Sequence, residues 1–218
     1  MTIGDGLFAQ LREAAHAEWE AYTGHEFVRQ LGAGTLPAAC FRRFLTQDYL
    51  FLIHFARAYA LLAFKQTDWP DIRAAAAGLN AIIEEMPLHI SFCAGWGLSE
   101  AEMRAEPEAP ATMLYTRYVI DTGLAGDALD LFTALMPCIA GYGEIGQRLD
   151  APAPDHPYRD WIGAYQSAAY QRSVATAIAA FEDLGRRRGA AARLASLTRI
   201  FATASRLEAD FWTMGLEG

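Results

Sequence analysis

No Cys-x-x-Cys pair occurs in this chain. Its three cysteines, Cys40, Cys93 and Cys138, are odd in number and far apart, so neither a disulfide framework nor a zinc site is indicated, and a reducing, cytoplasmic setting fits them. Basic residues are thin as well: 18 against 26 acidic ones, for a net charge of −8. Outside Arg186, Arg187 and Arg188 they form no run, which leaves no stripe to follow a phosphate backbone and argues against nucleic-acid binding. The opening Met1-Thr2-Ile3-Gly4-Asp5 lacks the basic start and apolar run of a signal peptide, so secretion is not expected. The longest apolar stretch, Tyr49 to Phe64, is interrupted by His54 and Arg57 and falls short of the roughly 20 residues that span a bilayer. It reads as a buried helix, with no membrane partner. Internal repeats, low-complexity tracts and long linkers are also missing, so residues 1–218 are expected to form a single domain around one core.

What the chain does have is an excess of apolar residues, 53% without counting its 18 glycines, where an ordinary domain reaches about 45–50% with glycine included. That excess predicts buried subunit interfaces. Apolar residues recur at three and four throughout, and no sustained period-two run appears, so the fold class is all-α. The periodicity predicts helices near 5–23, 25–31, 37–66, 70–95, 108–124, 126–150, 156–187 and 190–216. The breaks between them carry Gly and Pro: Gly32-Ala33-Gly34, Asp68-Trp69-Pro70, Glu106-Pro107, Gly123 to Gly126 and Pro152 to Pro157.

Polar groups standing where that periodicity demands an apolar side chain are the informative ones, because burying a carboxylate without a partner is costly. On the third helix the stripe runs Phe41, Phe44, Leu45, Asp48, Phe51, Leu52, Phe55, and on the last it runs Leu197, Phe201, Ala204, Glu208, Phe211. Asp48 and Glu208 therefore each need a partner, and a structural ion pair or a slightly rotated stripe accounts for them as well as a functional role does. A further stripe, Leu131, Leu135, Cys138, Tyr142, Ile145, contains Pro137. Proline tends to kink a helix and to free the carbonyl of the residue four before it, here Thr133, which would place Cys138 at an irregular, reachable point. Buried cysteines are usually small hydrophobes, and a reactive one needs a neighbouring base or cation that the local sequence does not supply.

Glu85 and His89 lie one turn apart on the face Ile82, Glu85, His89, Phe92, Trp96. The five histidines, at 16, 25, 54, 89 and 156, form no second such pair on a convincing inner face, so no metal site is expected and a satisfied structural pair is the preferred reading. Tyr115 and Tyr118 share a helix face, Tyr142 follows Cys138 by one turn, and Tyr165 lies just past Trp161. Most buried tyrosines are core residues with one tethered hydroxyl. Rings around two carboxylates and a thiol are also what a flat, easily protonated heterocycle requires.

Several fragments together resemble the TenA/THI-4 family. They are His25-Glu26-Phe27-Val28 through Leu36-Pro37, Phe44-Leu45-Thr46-Gln47-Asp48-Tyr49-Leu50-Phe51-Leu52, Phe55-Ala56-Arg57, Lys65 and Asp68, Glu84-Glu85-Met86-Pro87-Leu88-His89 leading to Trp96-Gly97, Met136-Pro137-Cys138 leading to Gly141-Tyr142 and Ile145-Gly146, and Glu208-Ala209-Asp210-Phe211-Trp212. The similarity spans nearly the whole chain. It implies a haem-oxygenase-like helical bundle, usually a homotetramer, with no metal or organic cofactor. It also implies hydrolysis of 4-amino-5-aminomethyl-2-methylpyrimidine, and more slowly of thiamin, in thiamin salvage. Pro137-Cys138 followed by Gly141-Tyr142 resembles the subgroup with a catalytic cysteine. By that resemblance Cys138 is the nucleophile and Glu208 the acid/base beside it. Asp48 binds the aminopyrimidine edge with help from Tyr142, Tyr115 and Tyr165 line the site, and Phe51 and Phe211 pack on the ring. Family members often carry tyrosine where Phe51 stands, so a hydroxyl is missing there.

Two other readings remain at this level. A cofactorless or metal-dependent oxidase related to pyrroloquinoline quinone synthase shares the bundle but needs a different polar lining, and stoichiometric iron would favour it. A non-catalytic pyrimidine-binding or regulatory protein would bind without turnover.

Overall fold

The computed structural model describes residues 6–217, and among these every regular element is a helix. The helices are α1 Leu7–Ala14, α2 His16–Thr23, α3 Glu26–Gly32, α4 Ala38–Lys65, α5 Trp69–Gly95, α6 Glu100–Ala105, α7 Pro110–Ala125, α8 Ala128–Arg148, α9 Arg159–Gln166, α10 Ala168–Arg187 and α11 Ala190–Leu216. The all-α expectation holds. Three details differ. The helix expected over 5–23 is two, because Ala15 leaves helical geometry at φ −110°, ψ 30°; residue 5 lies outside the described residues. The helix expected over 156–187 is also two, divided at Ser167, whose hydroxyl accepts from the Tyr170 amide and starts α10. The third difference is α6, which was not expected: Ser99 and Glu102 form a reciprocal capping box at its start.

The chain forms two compact units, one of the stretch up to Leu36 with Phe132–Trp212, the other of Pro37–Leu131 with the stretch from Thr213. In the first, Trp19 stacks on Phe201 with ring centroids 5.4 Å apart, and Phe8 meets both edge-on. Glu182 of α10 receives the Leu7 and Phe8 amides at 2.6 and 2.8 Å. A carboxylate thus sits on the free amides and positive dipole end of α1, a helix that carries no acidic residue in its own first turn. Glu144 gathers Arg12 at 2.9 Å, the Trp19 indole N–H at 3.1 Å, and Arg148.

In the second unit α4 packs along α5 and also against α6 and α7. Its buried polar hub is Gln47. The side-chain amide donates to the Pro107 carbonyl at 3.0 Å, and its oxygen accepts from the Ala109 amide at 2.9 Å and the Thr112 hydroxyl at 2.6 Å. One glutamine therefore satisfies the backbone at the entry to α7, which its interior position demands.

Of the described helices α8 is long and apolar enough to cross a membrane by length and composition, and 78% of its most apolar window is buried in the protein. The α8 helix continues unbroken through Pro137.

Candidate active site

The site is built first from the turn of α8 that follows Pro137. Cys138 is half-buried, whereas Cys40 and Cys93 are buried. Tyr22 of α2 donates its hydroxyl to the Pro137 carbonyl at 3.4 Å. A Cβ at Gly141 would fall inside the Tyr22 ring, so glycine is what allows that ring to reach α8 beside Cys138. Tyr142, one turn after Cys138, meets Tyr165 at 5.1 Å, Trp212 at 5.4 Å and Trp161 at 6.1 Å between ring centroids. Trp161 and Tyr165 touch at 4.4 Å, and Tyr22 and Phe27 stack on Trp212 at 6.4 and 4.8 Å. Trp212 follows Glu208 by one turn of α11, with Phe211 buried beside it and Glu208 itself 2% exposed. Cys138 and Glu208 each lie within one helical turn of the same ring contact, Tyr142 on Trp212.

The second unit holds the other three expected residues. Asp48 is buried on the inner face of α4, and Phe51, three residues on, meets Tyr115 of α7 at 5.1 Å and Phe55 at 5.5 Å. Burial pushes the Asp48 carboxyl up from its ordinary 3.8 to about 7, because the interior penalises the charged form. His89 of α5 places Nδ1 3.8 Å from the Asp48 carboxylate, while its Nε2 is 3.4 Å from the Leu45 carbonyl. Burial holds His89 below its ordinary value, opposed by the Leu45 carbonyl and by Glu85. Glu85 is raised, chiefly by the protein around its carboxyl and then by Asp48, although its side chain retains access to solvent. The Cys93 thiol is pushed up to about 12, first by burial and then by Asp48, which makes it an inert thiol at neutral pH.

The expected residues thus fall into Cys138, Tyr142, Tyr165, Glu208 and Phe211 in one unit and Asp48, Phe51 and Tyr115 in the other. Four aromatic residues of the first cluster, Tyr22, Phe27, Trp212 and Tyr170, which meets Tyr165 edge-on at 4.8 Å, were not picked out as site residues, nor was Trp161 beyond its place beside Tyr165. Trp212 was within reach, since it stands one turn past Glu208; Tyr22 carried no signal, because the approach to Gly141 joins α2 to α8. His89 was read as the partner of Glu85 alone, and its ring faces Asp48 as well.

Cys138 and the buried Glu208 each stand one helical turn from a member of one ring cluster, and the buried, readily protonated Asp48 belongs to the other unit. Residues 12–218 match the model of the TENA/THI-4/PQQC family, and the chain belongs to that family. It is 36% identical over 210 residues to an aminopyrimidine aminohydrolase of Halalkalibacterium halodurans, covering 94% of this chain and 93% of that one. A Haemophilus influenzae protein of uncharacterised function is 36% identical over 214 residues, covering 97% and 99%. The crystal structure of a TenA family transcription regulator from a Silicibacter species superposes with a TM-score of 0.93 at 44% identity, covering 97% of each chain.

Proposed function

We propose that this chain hydrolyses 4-amino-5-aminomethyl-2-methylpyrimidine, and thiamin more slowly, to 4-amino-5-hydroxymethyl-2-methylpyrimidine in thiamin salvage. The observation that carries this reading is the Tyr142–Trp212 ring contact, which ties a reachable cysteine and a buried glutamate to one aromatic cluster. The relation to an aminopyrimidine aminohydrolase over nearly the whole of both chains supports it.

In this reading Cys138 attacks as thiolate and forms a C–S bond to the pyrimidine ring, which loses its aromaticity. Glu208 takes the thiol proton and passes it to the leaving amine as the exocyclic C–N bond breaks. Water then adds to the exposed methylene, and its proton goes to Glu208. Cleavage of the C–S bond restores the ring, and the proton returns to sulfur. The covalent step replaces one hard displacement by two easier ones. Asp48 in its acid form offers an O–H donor and a carbonyl acceptor, the complement of the ring nitrogen and exocyclic amine of a 4-aminopyrimidine. Tyr142, Tyr115 and Tyr165 orient the ring, and Phe51 and Phe211 stack on it. The chemistry requires no cofactor.

The same reading makes this a cytoplasmic homotetramer. The exposed apolar side chains of α4, α5 and α7 support self-association: Phe64 is 85% exposed, Trp69 69% and Leu124 65%. Ammonia release from the aminomethylpyrimidine, measured beside thiazole release from thiamin, tests the activity. Release from neither substrate contradicts it.

A further inference from the structure

We propose that Gln171 is a positioning residue for the candidate active site: its side-chain amide holds the backbones that carry Tyr142 and Tyr165 and thereby sets the ring pair that orients the pyrimidine. This rests on the aminopyrimidine reading and adds to it a residue of α10, a helix from which that reading takes no group.

Tyr165 stands at the end of α9, where the last carbonyls of a helix find no partner inside it. Gln171 Nε2 donates to the Tyr165 carbonyl at 2.8 Å and to the Gly143 carbonyl of α8 at 3.0 Å. Gly143 directly follows Tyr142, and a carbonyl inside a helix keeps a second lone pair for such a donor. Both hydrogens of the amide are therefore engaged, one on each backbone. The amide oxygen accepts from Gln147 Nε2. Two carbonyls facing one nitrogen fix which way round the amide sits.

The surface of α8 is shaped for this approach. A Cβ at Gly146 would come within 2.7 Å of the Tyr165 carbonyl oxygen, and one at Gly143 within 3.0 Å of a Val174 methyl group of α10. Glycine at these two positions, one turn apart, lets α9 and α10 lie against the α8 backbone. With the backbones held at that spacing the Tyr142 and Tyr165 rings meet at 5.1 Å, and Trp161 and Tyr170 close on Tyr165 at 4.4 and 4.8 Å. All of these residues lie in the first unit. Gln171 is half-buried and methionine matches its length, so Gln171→Met removes the donors without opening a large cavity.

The test is steady-state turnover of 4-amino-5-aminomethyl-2-methylpyrimidine. Gln171→Met should lower kcat/KM about 10²-fold, the scale of an ångström's misplacement of a positioning group. Gln171→Lys returns N–H donors at nearly the same reach and should recover most of that loss. In Tyr165→Ala the ring pair is already gone, so adding Gln171→Met should cost far less than it does in the wild type. Equal impairment of the methionine and lysine variants, or losses that multiply through to within about twofold, overturns the proposal. So does a methionine variant with a lowered Tm and wild-type kcat/KM, which marks a residue that only stabilises the fold. NMR of the tyrosine rings in substrate-free protein supplies a reading that does not need the reaction. The Tyr142 and Tyr165 signals should shift in Gln171→Met while those of Tyr59, in the second unit, stay in place; unmoved Tyr142 and Tyr165 signals overturn the proposal. Absence of turnover in the wild type strikes down the aminopyrimidine reading instead, and the ring signals then decide alone whether Gln171 sets the pair.

Discussion

Asp48 shows how much chemistry one burial decision sets. Its carboxyl is raised from 3.8 to about 7 because the interior excludes water from it. A carboxyl raised in the folded state binds its proton more tightly there than in the unfolded chain. Its stabilising contribution is complete below 3.8 and is lost as pH climbs to about 7. Thermal melts across that window should show wild-type stability declining relative to Asp48→Asn, whose amide does not titrate; parallel curves for the two would disprove the uncharged state. Glu208, with 2% exposure on α11, is the residue to which the account assigns proton transfer. Glu208→Gln should lower kcat by roughly 10²–10⁴-fold, the range for loss of a general acid or base, with a much smaller change in KM, as steady-state assays with the aminomethylpyrimidine would reveal. Both acids were legible as polar interruptions in apolar stripes. Their surroundings were not, because periodicity says which face a side chain occupies and nothing of what the opposing helix brings to it. His89 is the instance: its spacing from Glu85 is written in the chain, and its approach to Asp48 is made by the packing of α5 on α4.

Among the helices, those with long apolar periods were readable from the sequence, and the short ones depended on local caps. The start of α6 was written in Ser99-x-x-Glu102 and was overlooked because the segment has too few apolar residues to show a period. The bend at Ala15 had no Gly or Pro to announce it, and it is defined by the aromatic packing of Phe8 and Trp19 on Phe201. Pro137 was expected to distort α8, yet the helix continues and its neighbour Tyr22 takes the Pro137 carbonyl. Two element-scale outcomes follow. Gly141→Ala drives a methyl group into the Tyr22 ring and should destabilise the protein by about 1–3 kcal/mol, the usual cost of overpacking, as measured by urea unfolding. Glu182→Ala removes the acceptor of the Leu7 and Phe8 amides. Amide hydrogen exchange should then speed up in α1 while α4 keeps its protection; equal protection of α1 in both proteins would show that the cap contributes nothing.

For the whole molecule, the apolar excess of the sequence reappears as exposed side chains on α4, α5 and α7. If they are covered by further copies of the chain, light scattering should report a tetramer for the wild type, and Phe64→Asp combined with Leu124→Lys should yield smaller species. A wild-type monomer would refute the assembly. Family membership was also legible at this scale, since short motifs in the right order over most of the chain carried the resemblance that the match over residues 12–218 shows. The central claim is that the sulfur of Cys138 performs the chemistry. Its most direct measurement is ammonia release from 4-amino-5-aminomethyl-2-methylpyrimidine by the wild type and by Cys138→Ser, with product binding followed in parallel. The account predicts release by the wild type and none above background by the serine variant, which still binds the pyrimidine; a serine variant that turns over at close to the wild-type rate would contradict it.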